Sequence, residues 1–447
     1  MKKLFCTLAA IAVFASSALA DEGMWMLPLL QKMNAKAMKE VGCKLSPKEI
    51  YDINNSSLKD AIVQFGGGCT GEIISDQGLL VTNHHCGYRN IQKLSSVEHD
   101  YLKDGYWAMN RSEELPCEGL TVTFLEYMQD ITGILEKVDK KARKQFKDDD
   151  EKVIEALSAK VDELIKEAEK NHPHCTAQVE TFYNNNVYYL IVYKVYTDVR
   201  FVGAPPSSIG KFGADTDNWM WPRHTGDFSI FRIYADKDNN PAAYSPDNVP
   251  YKPKKYFHIS AKGVQEGDFT FIYGFPGRTQ EYIHSEGVRY IEELGDPHKI
   301  NLRTLRLDIM SKYQSQSQKV RIQYSSKHAN VANAWKKWQG EVKGIKKMKT
   351  VQTKQEFEAE FAKWAKDGEF DGVTDRLAAI YAEFTFSSDP ILHEAEFGMS
   401  CYGYGCYFCL EIADVYAWNG GFPGRMGGIR RTIWRKAGFR KGMRWGI

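Results

Sequence analysis

The run Gly71–Gly87 closes on Asn83-His84-His85-Cys86-Gly87, the densest cluster of chemically able side chains in the sequence. Gly71–Ser75 reads as a strand, Asp76-Gln77-Gly78 as a tight turn, and Leu79–Thr82 as a second strand. This arrangement delivers an imidazole to a strand end, beside a Cys. A histidine held in one orientation takes a proton from a hydroxyl as a general base, and His85 is the candidate for that role, with His84 its structural neighbour. A pair of zinc ligands is the rival reading. Neighbours on a strand point to opposite faces and rarely chelate one ion. His224 and the group His172-Pro173-His174-Cys175 are the other places a metal hydrolase would draw on, and no His-Glu-x-x-His pair occurs. The expectation is no metal and no cofactor.

A second segment, 205–228, is punctuated by Gly and Pro and rich in Trp, Asn and Asp, a composition that suits a substrate-binding wall. It ends in Gly226-Asp227, after which Phe228–Tyr234 alternates as a strand. A carboxylate entering an apolar strand is well placed to receive the Nδ1 hydrogen of a histidine, which makes Asp227 the candidate partner. Asp215 and Asp217 are read as loop-forming residues.

These groups need a β framework to hold them. Ala61–Phe65, Thr121–Tyr127, Val187–Val202, Phe228–Tyr234 and Phe269–Tyr273 are rich in aromatic and β-branched residues and read as strands, with Gly66-Gly67-Gly68 as a turn or close-approach site. Residues 131–170 change character: Ile154, Leu157, Val161 and Leu164 recur at helical spacing, and Lys147–Lys152 reads as a solvated loop or helix end. From 281 to 397 the helical period dominates. Leu302, Leu305 and Ile309 share one face, as do Phe357, Phe361 and Trp364, and both stripes read as helix-bundle core. The fold class expected is mixed β and α.

The length of 447 residues allows two or three domains, and a net charge of +2 points to neither nucleic acid nor an anionic membrane surface. Met1-Lys2-Lys3, a short apolar run and Ala18-Leu19-Ala20 make a signal peptide over 1–20. No later segment is apolar for long enough to insert in a membrane. A periplasmic or secreted protein is expected, where disulfides are allowed. Cys43, Cys69, Cys86, Cys117 and Cys175 are odd in number, so at least one stays unpaired. After Gly398 the composition shifts: cysteines cluster, no acidic residue follows Asp414, and Arg and Lys accumulate. A basic interaction tail would look like this, but so would an out-of-frame stretch. The second reading is adopted for 398–447, because no helical or strand period survives there.

At these residues the chain resembles the bacterial exported serine dipeptidyl-peptidases, which carry a chymotrypsin-like double barrel and a large inserted helical domain. Asp21-Glu22-Gly23-Met24-Trp25, Thr82–Gly87 and Asp217–Asp227 carry the likeness, and it runs from 21 to 397. The resemblance implies a first barrel over 21–280 with a helical insertion near 131–170, then a partial helical domain over 281–397. It implies release of dipeptides from the free N-terminus of oligopeptides, with His85 as general base and Asp227 as orienting acid. Asn218 and Trp219 would hold the substrate's α-amino group, and Cys86 would bond back to Cys69 to fix the histidine loop. A homodimer is possible in the full-length family. The family's nucleophile is a Ser in a Gly-rich turn of the second barrel. Ser207, Ser208, Ser229, Ser387, Ser388 and Ser400 all lack the Gly-x-Ser-Gly setting that supplies N–H groups to an oxyanion. The expectation is therefore a truncated, inactive copy. The alternative is a non-enzymatic remnant that still binds peptides.

Overall fold

Short alternating runs separated by glycine turns build the first part of the chain, and two glycines show why. Gly66 and Gly67 turn the chain between the first two strands with φ of +61° and +81°, a region that residues with a Cβ rarely enter. The computed structural model describes residues 25–383, apart from positions 148, 183–185, 278, 279 and 281. The expected signal peptide and the 398–447 tail lie outside the described residues.

The strands are β1 (Ile62–Phe65), β2 (Cys69–Ile73), β3 (Leu79–Thr82), β4 (Tyr106–Trp107), β5 (Leu115–Pro116), β6 (Val122–Asp130), β7 (Cys175–Phe182), β8 (Val187–Tyr196), β9 (Asp198–Ala204), β10 (Ser229–Ala235) and β11 (Val249–Pro250). They form one antiparallel sheet in the order β4-β9-β10-β3-β2-β1-β6-β8-β7, with β5 also on β9 and β11 on β10. Half of the strand pairings join strands that are not consecutive in the chain, and β10 reaches β3 from far along the sequence. Phe65, Ile73, Leu80, Phe201, Phe231 and Ile233 are fully buried in the core it encloses. Each such side chain contributes about 1.5–3 kcal/mol through burial.

Among the described residues the longer helices are α1 (His84–Leu94), α2 (Thr132–Phe146), α3 (Asp150–Asn171), α4 (Asp296–Gln314), α5 (Gln318–Met348) and α6 (Thr350–Ala365). The α2–α3 pair covers the stretch in which helical spacing is expected. Ile131, Leu135 and Ala168 pack there against Leu190 and Val192 of β8. Asp149 caps α3 by accepting from the Lys152 amide at 3.3 Å, which accounts for the acidic run before it. The helices after residue 285 dock on the sheet region through α5. Arg321 pairs with buried Asp100, and Gln92 of α1 donates to the Gln323 carbonyl at 2.9 Å. The mixed β and α class is as the sequence predicts. Among the described residues no helix is long and apolar enough to cross a membrane.

Three local expectations are corrected. Phe269–Tyr273 is irregular rather than a strand. Phe269 and Tyr273 turn inward against Leu30, Met38 and Ile50, so the alternation is real, but no strand edge pairs with it. The stripe Leu302, Leu305 and Ile309 is not the seam of α4. Leu305 is 56% exposed, and Leu307 is the residue buried against Val331 and Ala332. On α6, Phe357 and Trp364 are 69% and 71% exposed, while Ala365 is buried. Periodicity identifies a face of a helix; a neighbouring element decides whether that face is covered.

Candidate active site

The site begins where β3 hands over to α1. Thr82 ends the strand with its hydroxyl donating to the Thr70 carbonyl at 2.7 Å, Asn83 stays extended, and α1 starts at His84. The two histidines thus open a helix rather than continue a strand, which corrects the premise used to separate them. They still diverge: His84 is 1% exposed and the His85 side chain 69%. Antiparallel pairing sets Ser229 of β10 opposite Thr82. Two residues before Ser229 therefore come level with the start of α1, and that places Asp227 beside His85.

The two groups meet through both carboxylate oxygens. The Asp227 Oδ2 lies 2.6 Å from His85 Nδ1, and Oδ1 accepts from the His85 backbone N–H at 3.0 Å. Asn83 Nδ2 steadies the same residue, at 3.2 Å from the Asp227 carbonyl and 3.4 Å from Oδ2. Burial pushes the Asp227 carboxyl up. The His85 hydrogen bond and charge more than offset that, and the net shift is downward. An ionised Asp227 holds the Nδ1 proton and leaves Nε2 as the free acceptor, which is the arrangement that takes a proton from a hydroxyl. Cys86, next to His85, is disulfide-bonded to Cys69 of β2, with a Cα–Cα distance of 6.1 Å. The bond ties the first turn of α1 to the sheet. Cys43, Cys117 and Cys175 are free thiols, and burial pushes that of Cys117 up to about 12.

Two of the serines weighed in the sequence are engaged elsewhere. The Ser229 hydroxyl is buried and donates to the Asn83 carbonyl at 2.9 Å, and Ser207 donates to the Leu102 carbonyl at 2.5 Å. Ser387, Ser388 and Ser400 lie outside the described residues.

The 205–228 loop runs over short helical turns at Ser207–Gly210 and Ala214–Asp217. Asp215 pairs with Lys211 at 3.3 Å through one oxygen and lies 4.0 Å from His328 Nδ1 of α5 through the other. Asn218 and Trp219 are held by a residue that the sequence did not single out. Asn333 of α5 accepts at its Oδ1 from Asn218 Nδ2, and at its carbonyl from Trp219 Nε1, both at 2.9 Å. Arg223 Nη1 donates to Asn218 Oδ1 at 3.2 Å, and Lys336 Nζ donates to the Thr216 carbonyl at 2.6 Å. The loop is therefore held jointly by its own residues and by α5. No motif marks Asn333, because its position 115 residues beyond Asn218 means nothing until α5 docks.

The Peptidase S46 family profile matches residues 20–390. The chain belongs to that family. It is 52% identical over 339 residues to the Asp/Glu-specific dipeptidyl-peptidase of Capnocytophaga gingivalis, covering 76% of this chain and 47% of that protein. With dipeptidyl-peptidase 7 of Phocaeicola vulgatus it shares 46% identity over 398 residues, 88% of this chain and 54% of the relative. The crystal structure of Porphyromonas endodontalis DPP11 with the dipeptide Arg-Asp superposes with a TM-score of 0.76 at 39% identity, covering 85% of this chain and 54% of that one. The same protein in an alternate conformation gives 0.62. The chain spans about half the length of the curated relatives it matches.

Proposed function

We propose that this chain is the base-bearing part of a serine-type dipeptidyl-peptidase that releases dipeptides from the free N-terminus of oligopeptides. His85 is the general base, and Asp227 fixes its tautomer and orientation. Asn218 and Trp219, steadied by Asn333, hold the substrate's α-amino group, which makes the enzyme count from the N-terminus. The observation that carries the reading is the 2.6 Å contact of Asp227 Oδ2 with His85 Nδ1, with the carboxylate's other oxygen on the His85 amide. The names of the relatives support the reaction class. The domain division belongs to the same proposal: a barrel over 21–280 and a partial helical domain over 281–397, behind a signal peptide over 1–20 that sends the protein to the periplasm or beyond. So does the nucleophile: the proposal is that no serine of these 447 residues serves, and that they do not cleave on their own.

The test compares fluorogenic dipeptide release and organophosphate labelling in three proteins. These are the 447-residue chain, a chain continued past Gly398 in a frame that restores a Gly-rich serine turn, and that extended chain carrying His85→Ala. The short chain should neither cleave nor label. The extended chain should do both, and His85→Ala should lower cleavage by about a thousandfold or more. Cleavage by the short chain that vanishes with His85→Ala would reveal a nucleophile within the 447 residues and overturn the proposal. A second reading, retained peptide binding without catalysis, is favoured by the intact bonding of Asn218 and Trp219 to Asn333. Equilibrium dialysis of free and N-acetylated tripeptides against the short chain separates it, since only the free amine should bind.

A further inference from the structure

We propose that His84 is a positioning residue for the His85–Asp227 pair: its buried ring is the face on which Gly210 rests, and the backbone beside Gly210 carries Asp227 to His85. The inference rests on the reading of that pair as base and orienting acid.

The contacts form a closed circuit. A Cβ added at Gly210 would lie 2.5 Å from His84 Cδ2, 2.7 Å from Cγ and 2.8 Å from Nε2, so the Gly210 backbone lies directly on the imidazole. One residue earlier, the Ile209 carbonyl accepts from the Gly226 amide at 3.0 Å. A Cβ at Gly226 would come within 2.7 Å of Ile209 Cγ2, so this second layer is equally tight. The next residue is Asp227, whose carboxylate grips His85, and His85 is the chain neighbour of His84. His84, Gly210, Ile209, Gly226, Asp227 and His85 thus lean on one another in turn. Close packing transmits small displacements, and a base–acid hydrogen bond tolerates little of it.

The ring acts here by shape. Its Nε2 is buried with no hydrogen-bond partner among the described residues, an arrangement that costs stability and that proteins seldom keep without a use. Its other close neighbour is Tyr88, edge-on with ring centroids 5.6 Å apart. The charged or titratable groups around it are Asp227, His85, Lys211 and Tyr88. Burial pushes the imidazole down to about 4 despite the pull of Asp227, and His85 and Lys211 add to the depression. At neutral pH the ring is uncharged, so it does not compete with His85 for the carboxylate.

The test uses the full 447-residue chain with ¹⁵N-labelled histidine and reads the His85 tautomer, Nδ1–H against Nε2–H, at neutral pH. The His85 signals are assigned by their loss in His85→Ala. His84→Ala, which removes the wedge, should lower the Nδ1–H to Nε2–H ratio by about tenfold, the worth of one hydrogen bond. Gly210→Ala, which pushes a methyl against the ring, should lower it in the same direction. His84→Phe keeps a flat neutral ring and should hold the ratio within about twofold, which also shows that the packed fold survives the loss of both nitrogens. On an Asp227→Asn background, His84→Ala should change nothing further, because the circuit acts only through Asp227. A wild-type ratio in folded His84→Ala, or an additive effect on the Asp227→Asn background, overturns the inference. If Asp227→Asn alone leaves the tautomer unchanged, the reading of the pair fails instead, so the two failures are told apart.

Discussion

The buried imidazole of His84 makes a strong prediction about stability and pH. Folding takes this ring from an ordinary value of 6.5 to about 4, with burial as the largest cause. The group is a base whose folded value is depressed, so between those two limits the unfolded chain binds a proton that the folded chain refuses. Stability therefore rises with pH across the window from about 4 to about 6.5 and is lost on acidification through it. Each unit is worth about 1.4 kcal/mol, so the full window amounts to about 3 kcal/mol. Phenylalanine at position 84 has no proton to bind. Guanidinium unfolding of the parent and of His84→Phe at pH 4, 5, 6 and 7 should show the parent losing about 3 kcal/mol more than the variant between pH 7 and pH 4. Taking the difference at each pH cancels the titrating groups that do not face this ring, such as His328. Near pH 7 the variant should be at least as stable as the parent, because an unpartnered buried nitrogen has been removed. Parallel stability curves for the two proteins would refute the burial argument, and a larger acid loss in the variant would reverse its sign.

Two further outcomes follow from the packing. Peptide mapping without reduction should recover Cys69 linked to Cys86. Cys86→Ala should cost about 3 kcal/mol on the chain-entropy account for a separation of 17 residues; free thiols at both positions in protein from an oxidising compartment would remove that linkage. Glu114 is buried and accepts from Arg232 Nε at 2.9 Å and from the Tyr234 hydroxyl at 2.8 Å. Glu114→Ala leaves a guanidinium in the sheet without its counter-charge and should cost about 3–5 kcal/mol in denaturant titration, where a loss below about 1 kcal/mol would contradict the assignment.

The sheet strands near the site were legible because their signals are local. Alternation in Leu79–Thr82 and in the strand after Asp227, with glycine at the turns, needs only a few adjacent residues to be read. The α2 and α3 helices were legible for the same reason. The segment 269–273 has that alternation and is nonetheless irregular, because a strand also needs an edge to pair with. The faces of α4 and α6 failed similarly: the spacing of Leu302, Leu305 and Ile309 is helical, but the neighbour of α4 lies against Leu307.

By itself, the sequence determined which side chains could do chemistry here. It offered a histidine beside a Cys at a strand end, an aspartate at the mouth of another strand, and a loop rich in Asn and Trp. Only the tertiary structure decided that His85 and Asp227, 142 positions apart, share a hydrogen bond, through the register of β3 against β10. It alone turned one of two identical neighbours inward, leaving His84 a packed neutral ring and His85 an open one. It alone brought Asn333 to Asn218 and Trp219. The physical reason is the same in each case. Propensity and periodicity act over a few residues along the chain. Orientation, protonation and partnership depend on which distant surfaces exclude water together.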